Sequence, residues 1–134
     1  MSNSTAPTSQ VSGTFEVSMK IDGDPVLGRL NVEKQFHGAL QASGRGTMLT
    51  AMTSTPGSAV YVLIERVEGT LDGRSGSFLL HHTGIMRRGA KHLSIGIVPD
   101  SGSGALRGIS GTMDIRIEGK SHYYDLSYAI EPES

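Results

Sequence analysis

Apolar and polar residues alternate along this chain with a period of two from Phe15 to Ile130, and turns bearing glycine or proline cut the alternation into about eight strand-length pieces. A period of two sends successive side chains to opposite faces of a strand, so each piece presents one face for burial. Phe15, Val17, Met19 and Ile21 alternate with Thr14, Glu16, Ser18 and Lys20, and Asp22-Gly23-Asp24-Pro25 ends the run. Leu30, Val32, Lys34 and Phe36 share one face of a second strand, closed by His37-Gly38. Six more strands follow, over about 39–54, 58–71, 76–87, Lys91 to Val98, Thr112 to Glu118 and His122 to Ile130. Their turns are Pro56-Gly57, Asp72-Gly73, Arg88-Gly89, the stretch Asp100 to Gly111, and Gly119-Lys120.

No window of about a dozen residues carries a 3.6-residue apolar stripe, and the 18 glycines fall in every segment that might have been helical. The fold class is therefore all-β, with a single helical turn as candidate at Ala105-Leu106-Arg107. The glycines around that turn lack the spacing and the βαβ setting of a phosphate cradle and read as a connection between strands. Eight antiparallel strands in meander order form either a sandwich or an up-and-down barrel, and closure alone removes both unpaired edges. A single closed eight-stranded barrel over 11–132 is the expectation, with residues 1–10, rich in Ser, Thr and Pro, as a flexible tail.

Composition narrows the function. With 12 Lys+Arg against 13 Asp+Glu, interspersed along the chain, there is no basic field for nucleic acid. No run approaches the ~20 apolar residues of a membrane span, and the N-terminus lacks the charged and apolar regions of a secretion signal, so a cytoplasmic protein without membrane contact is expected. The chain has no cysteine, which removes disulfides, thiolate catalysis and Cys-ligated zinc. Its five histidines show no metal-ligand spacing, and neither a metal nor a cofactor is expected.

Against this apolar rhythm a few polar residues are out of place. Lys34 falls on the face of Leu30, Val32 and Phe36, where an ammonium needs a partner or must snorkel to the rim. In Tyr61-Val62-Leu63-Ile64-Glu65-Arg66 both parities are apolar, so either Glu65 or Arg66 faces inward, and Glu65 would compensate Lys34; periodicity does not choose between them. His82 also falls on an apolar face, as a core histidine or as a neutral base or ligand anchor with a depressed pKa. A two-residue loop at Gly119-Lys120 sets Ile115 opposite Tyr124, Met113 opposite Leu126 and Gly111 opposite Tyr128, so both tyrosines share the apolar face. The same construction sets Lys34 opposite Ala42, and His82 opposite Ile95.

Four stretches together resemble one bacterial family: Gly28-Arg29-Leu30 through Lys34-Gln35-Phe36-His37-Gly38; Tyr61 to Gly84 with Glu65-Arg66-Val67 and Gly69-Thr70-Leu71-Asp72-Gly73-Arg74; Val98-Pro99-Asp100-Ser101-Gly102; and His122-Tyr123-Tyr124. It is a family of small uncharacterised proteins whose structures are grouped with the allene oxide cyclase-type barrels, and the resemblance runs from about Gly13 to Ile130. It implies the barrel and no assigned activity. The segment from Gly102 to Gly111 is also similar to a glycine-rich stretch of plant cyclases and dirigent proteins, which guide apolar substrates inside a barrel. The family pattern has an acidic residue after the His37-Gly38 turn, where this chain has Ala39.

The barrel is thus expected to bind a small, largely apolar molecule, with Lys34, Glu65, His82, Tyr124 and Tyr128 as polar contacts. Any chemistry would be of isomerase or cyclase type, and whether the chain is an enzyme is left open. The alternative is a non-catalytic, oligomeric interaction module with a packed barrel, whose outer face would draw on Met48, Met52, Val60, Val62 and Ile64. Apolar residues on both parities of the fourth strand predict a homo-oligomer, a dimer in the simplest case.

Overall fold

The structure, a computed structural model, describes residues 8–23 and 27–131, and of residues 21–23 the backbone alone. The strands are β1 (Ser9–Gly23), β2 (Leu27–Gly38), β3 (Leu40–Met52), β4 (Ala59–Leu71), β5 (Arg74–Arg87), β6 (Ala90–Ile97), the two-residue β7 (Ser103–Gly104), β8 (Ile109–Glu118) and β9 (Ser121–Ile130). Each long strand pairs antiparallel with its chain neighbours, β4 pairs with β5, and β1 pairs with β9 from Ser9↔Tyr128 to Phe15↔His122. The result is the expected closed eight-stranded meander, with β7 a short addition to the lower part of β5. Ser9 and Gln10, assigned to the tail on composition, open β1, because β9 offers them ladder partners in Tyr128 and Ser127. The rest of the predicted tail, residues 1–7, and Asp24-Pro25 of the first turn lie outside the described residues.

Alternation decides which face enters the lumen. Phe15, Phe36, Leu40, Val67, Leu71, Phe78 and Leu80 join Leu126, Tyr124 and Tyr128 in one core that fills one half of the barrel. The outer faces of β1–β4 carry exposed charges, among them Glu16, Glu33, Arg45, Arg66 and Glu68. An apolar inside and a charged outside are the reverse of a membrane-spanning barrel. No helix of the described residues is long and apolar enough to cross a membrane.

The two ends of the barrel differ. At the filled end, Tyr124 and Tyr128 of β9 reach two hairpin turns. The Tyr124 hydroxyl donates to the His37 carbonyl at 2.9 Å and accepts from the Leu40 N–H at 3.0 Å, and the Tyr128 hydroxyl donates to Asp72. The connection from β6 to β8 closes over the same end: Leu106 is buried, and Ser101 and Ser103 hydroxyls accept from the N–H groups of Leu79 and Ser77. The predicted helical turn at 105–107 is a run of tight turns, with the Leu106 N–H bonded to the Ser103 carbonyl and the Arg107 N–H to that of Gly104. The other end, between the β3–β4, β5–β6 and β8–β9 turns, is open.

Two registers follow the expected turns: Ile115↔Tyr124 with Gly111↔Tyr128, and His82↔Ile95. The third does not. Lys34 pairs with Gly44, two residues beyond Ala42, because the Tyr124 hydroxyl bridges His37 and Leu40 and so enters the turn that would otherwise close tightly. A shift of two leaves every side chain on its predicted face. Met48 and Met52 are corrected to the lumen side: they share the parity of Leu40 and Ala42, and Met48 is buried against Val32 and Leu63.

Candidate functional site

A cavity of about 560 Å³ occupies the open half of the barrel. Its wall is mostly apolar, with Val17, Met48, Leu63, Leu93 and Ile115 prominent, and it also includes Lys34, His82 and Tyr61. Lys91, His92 and His122 join the same lining.

At mid-barrel Lys34 on β2 and Glu65 on β4 are separated by β3, and the two β3 residues between them are Gly44 and Gly46. Gly44 pairs with Lys34, and Gly46 pairs with Glu65. A Cβ at position 46 would come within 2.3 Å of the Ile64 carbonyl oxygen and 2.7 Å of the Glu65 Cβ. The missing side chains leave the space through which Lys34 Nζ reaches Glu65, 3.1 Å from Oε1 and 3.1 Å from Oε2. Only the contact to Oε1 has hydrogen-bond geometry, and Oε2 has no hydrogen-bond partner. The Lys34 ammonium also lies 5.5 Å from the ring centre of Phe15 and 6.0 Å from that of Phe36. Periodicity left Glu65 and Arg66 undecided; Glu65 is the inward residue, 1% exposed, and Arg66 is outside.

His82 stands beside this pair on β5, 3% exposed, with Nε2 3.8 Å from Glu65 Oε1 and no hydrogen-bond partner. Burial pushes its pKa down to about 3, with the Lys34 and His81 charges adding to the effect, so the imidazole is neutral at pH 7. Burial also lowers the Lys34 amine and raises the Glu65 carboxyl, against their mutual attraction. With the shared proton on either member of the pair, Lys34 and Glu65 sum to zero charge, and the neutral imidazole adds none.

Tyr124 and Tyr128, expected beside these residues, are not in the cavity wall. Their hydroxyls are held by His37 and Leu40 and by Asp72 at the filled end, where they fasten turns. The expected five residues are thus divided: Lys34 and His82 line the cavity, Glu65 lies behind them in contact with Lys34, and the two tyrosines stand apart, because the shared face of β9 runs the length of the barrel and only part of it meets the cavity. Tyr61 is the polar residue that sequence reasoning passed over. Its ring lies on Gly84, where a Cβ would meet Tyr61 Cε2 at 1.8 Å, and burial with the nearby Glu65 charge raises its pKa. The available signal was its parity with Glu65 across from a glycine on the next strand. Among the described residues, no group of three His, Asp or Glu side chains is placed to hold a metal ion.

The family described as a protein of unknown function (DUF3224) matches residues 8–128. Among solved structures, the chain is similar to a protein of unknown function from that family in Shewanella oneidensis MR-1. The two share 43% identity over 95% of this chain and 100% of the other, with a TM-score of 0.90. No curated protein matches in sequence.

Proposed function

We propose that this chain, which belongs to the DUF3224 family of proteins of unknown function, binds a small, uncharged, largely apolar molecule in the open half of its barrel. The supporting observation is the cavity of about 560 Å³ whose apolar wall is interrupted by Lys34 and by His82, a buried imidazole with an unpartnered Nε2. Volumes of a few hundred cubic ångströms with a few convergent polar groups are the usual form of a small-molecule site. At the depth of Lys34, Glu65 and His82, which together carry no net charge, an ionised group would be an uncompensated buried charge, since the Lys91 ammonium of the same lining is exposed, whereas a neutral oxygen atom would give His82 a partner. For chemistry on such a ligand the residues suit proton movement, with Lys34 polarising an oxygen and Glu65 or His82 exchanging the proton.

Binding of a neutral apolar dye, Nile red, tests the proposal. Leu93→Trp enlarges a half-exposed residue of the wall without disturbing the core, and narrows the cavity. Loss of at least about tenfold in affinity is expected, equivalent to ~1.4 kcal/mol. Undiminished binding in Leu93→Trp would overturn the proposal. The interaction-module reading keeps one observation in its favour, the exposed Leu49, Val62 and Ile64 on the outer wall, and we propose that this face supports self-association.

A further inference from the structure

We propose that Lys34 captures the carbonyl group of an apolar aldehyde or ketone covalently, as a protonated Schiff base on Nζ. The inference rests on the cavity being a ligand site and names the chemical class of that ligand.

The chain has four lysines, Lys20, Lys34, Lys91 and Lys120, and Lys34 is the buried one. An exposed lysine is a poor nucleophile at pH 7 because its amine is protonated; desolvation in an apolar pocket is a recognised way to activate it. Lys34 has that setting: an apolar cavity wall, two phenylalanine rings within 6.0 Å, and a carboxylate at 3.1 Å to take up its proton.

The step balances with the groups present. One proton passes from the Lys34 ammonium to Glu65, and the freed lone pair attacks the carbonyl carbon. The carbon–oxygen π pair moves to oxygen, which takes the proton from Glu65 to give a carbinolamine. A second proton follows the same route from nitrogen through Glu65 to the hydroxyl, which departs as water while the carbon–nitrogen double bond forms. Glu65 ends as a carboxylate and nitrogen as an iminium cation, so no oxidant or reductant is needed. The buried charge is unchanged: an iminium replaces an ammonium beside the same carboxylate. An alcohol or ether could occupy the cavity, but only a carbonyl compound can exploit this arrangement. His82, neutral and with Nε2 free, is placed to position the departing oxygen.

The test incubates the intact protein at pH 7 with cinnamaldehyde and sodium cyanoborohydride, which reduces an iminium to a stable secondary amine, and maps the adducts by peptide mass spectrometry. Cinnamyl alcohol, of nearly the same shape, reports cavity occupancy alone by thermal shift and by competition. The expected result is labelling of Lys34 at least about tenfold faster than of Lys91 or Lys120, and suppression by the alcohol. Glu65→Gln should slow labelling of Lys34 while Lys91 and Lys120 label as before. If the alcohol binds and Lys34 is labelled no faster than the exposed lysines, the covalent inference fails and the binding site stands. If neither compound shifts the melting temperature and Lys34 stays unlabelled, both fail.

Discussion

His82 is buried and neutral, and that couples the stability of the barrel to pH. Its folded pKa of about 3 lies below the 6.5 of an unperturbed imidazole, so as pH falls below 6.5 the unfolded chain gains a proton that the folded chain refuses. The contribution is fully present above pH 6.5 and is lost on acidification at up to ~1.4 kcal/mol per pH unit, until the folded imidazole titrates near pH 3. Urea denaturation at pH 7 and pH 4.5 checks this: His82→Leu should lose less stability between the two than the parent does. At pH 7 the same variant should be as stable as the parent or more stable by about 1 kcal/mol, since it removes an unsatisfied buried nitrogen. Lys34 behaves differently because it has a partner. Lys34→Met strands Glu65 without a cation and should cost ~3–5 kcal/mol, whereas Lys34→Met with Glu65→Leu removes the whole pair and should recover most of that loss. In the single variant the stranded carboxyl has a raised pKa, so its stability should fall further as pH rises. A double variant as unstable as the single one would show that the pair is not the source of the cost.

At the scale of elements, β3 matters for what it leaves out. Gly44 and Gly46 remove two inward side chains between β2 and β4, and the charge pair occupies that gap. Gly46→Ala places a methyl 2.3 Å from the Ile64 carbonyl oxygen on a neighbouring backbone, which cannot yield without moving β4, and should cost ~2 kcal/mol or more. At Gly44 the nearest atom to an added methyl is Phe36 Cε2 at 3.3 Å, the edge of a ring, so Gly44→Ala should be the milder change in the same chemical denaturation experiment. Equal costs at the two positions would remove the argument for a strand-crossing gap. The strands themselves are legible in the chain because alternation marks faces, and the Gly119-Lys120 turn is short enough to transmit register from β8 to β9. The β2–β3 register is not legible, because it depends on the Tyr124 hydroxyl, 84 positions from Leu40, entering the turn. For the site, periodicity shows that Lys34 needs a partner but cannot say that a glycine gap on the intervening strand lets Glu65 supply it. Nor does it show where the cavity ends, and so Tyr124 and Tyr128 are drawn into the expected site while Tyr61 is missed.

Over the whole molecule the barrel has a sealed end and an open one, and the sealing is done by long-range contacts. The tyrosines of β9 hold the β2–β3 and β4–β5 turns, and Leu106 covers the lumen beneath them. The packed core of the sealed half supplies the buried apolar contacts that let the other half keep an open cavity. The outside is mostly polar or charged, and an apolar face interrupts it. Leu49 and Val62 are cross-strand partners, Val60 and Ile85 are likewise, and Ile64 lies beside them, all at least 40% exposed on the outer face of β3, β4 and β5. A contiguous apolar face on an otherwise polar surface is what an isologous contact between two copies would bury, with the patch meeting its own image across a two-fold axis. The face lies on the outer wall, and its Val60 and Ile85 also border the cavity. Light scattering at micromolar concentration is therefore expected to give a dimer. Ile64→Lys places a charge on the exposed patch, where the folded chain tolerates it and a buried contact would not, and should yield a monomer of unchanged melting temperature at high dilution. If the parent chain is a monomer at micromolar concentration, the patch does not mediate self-association.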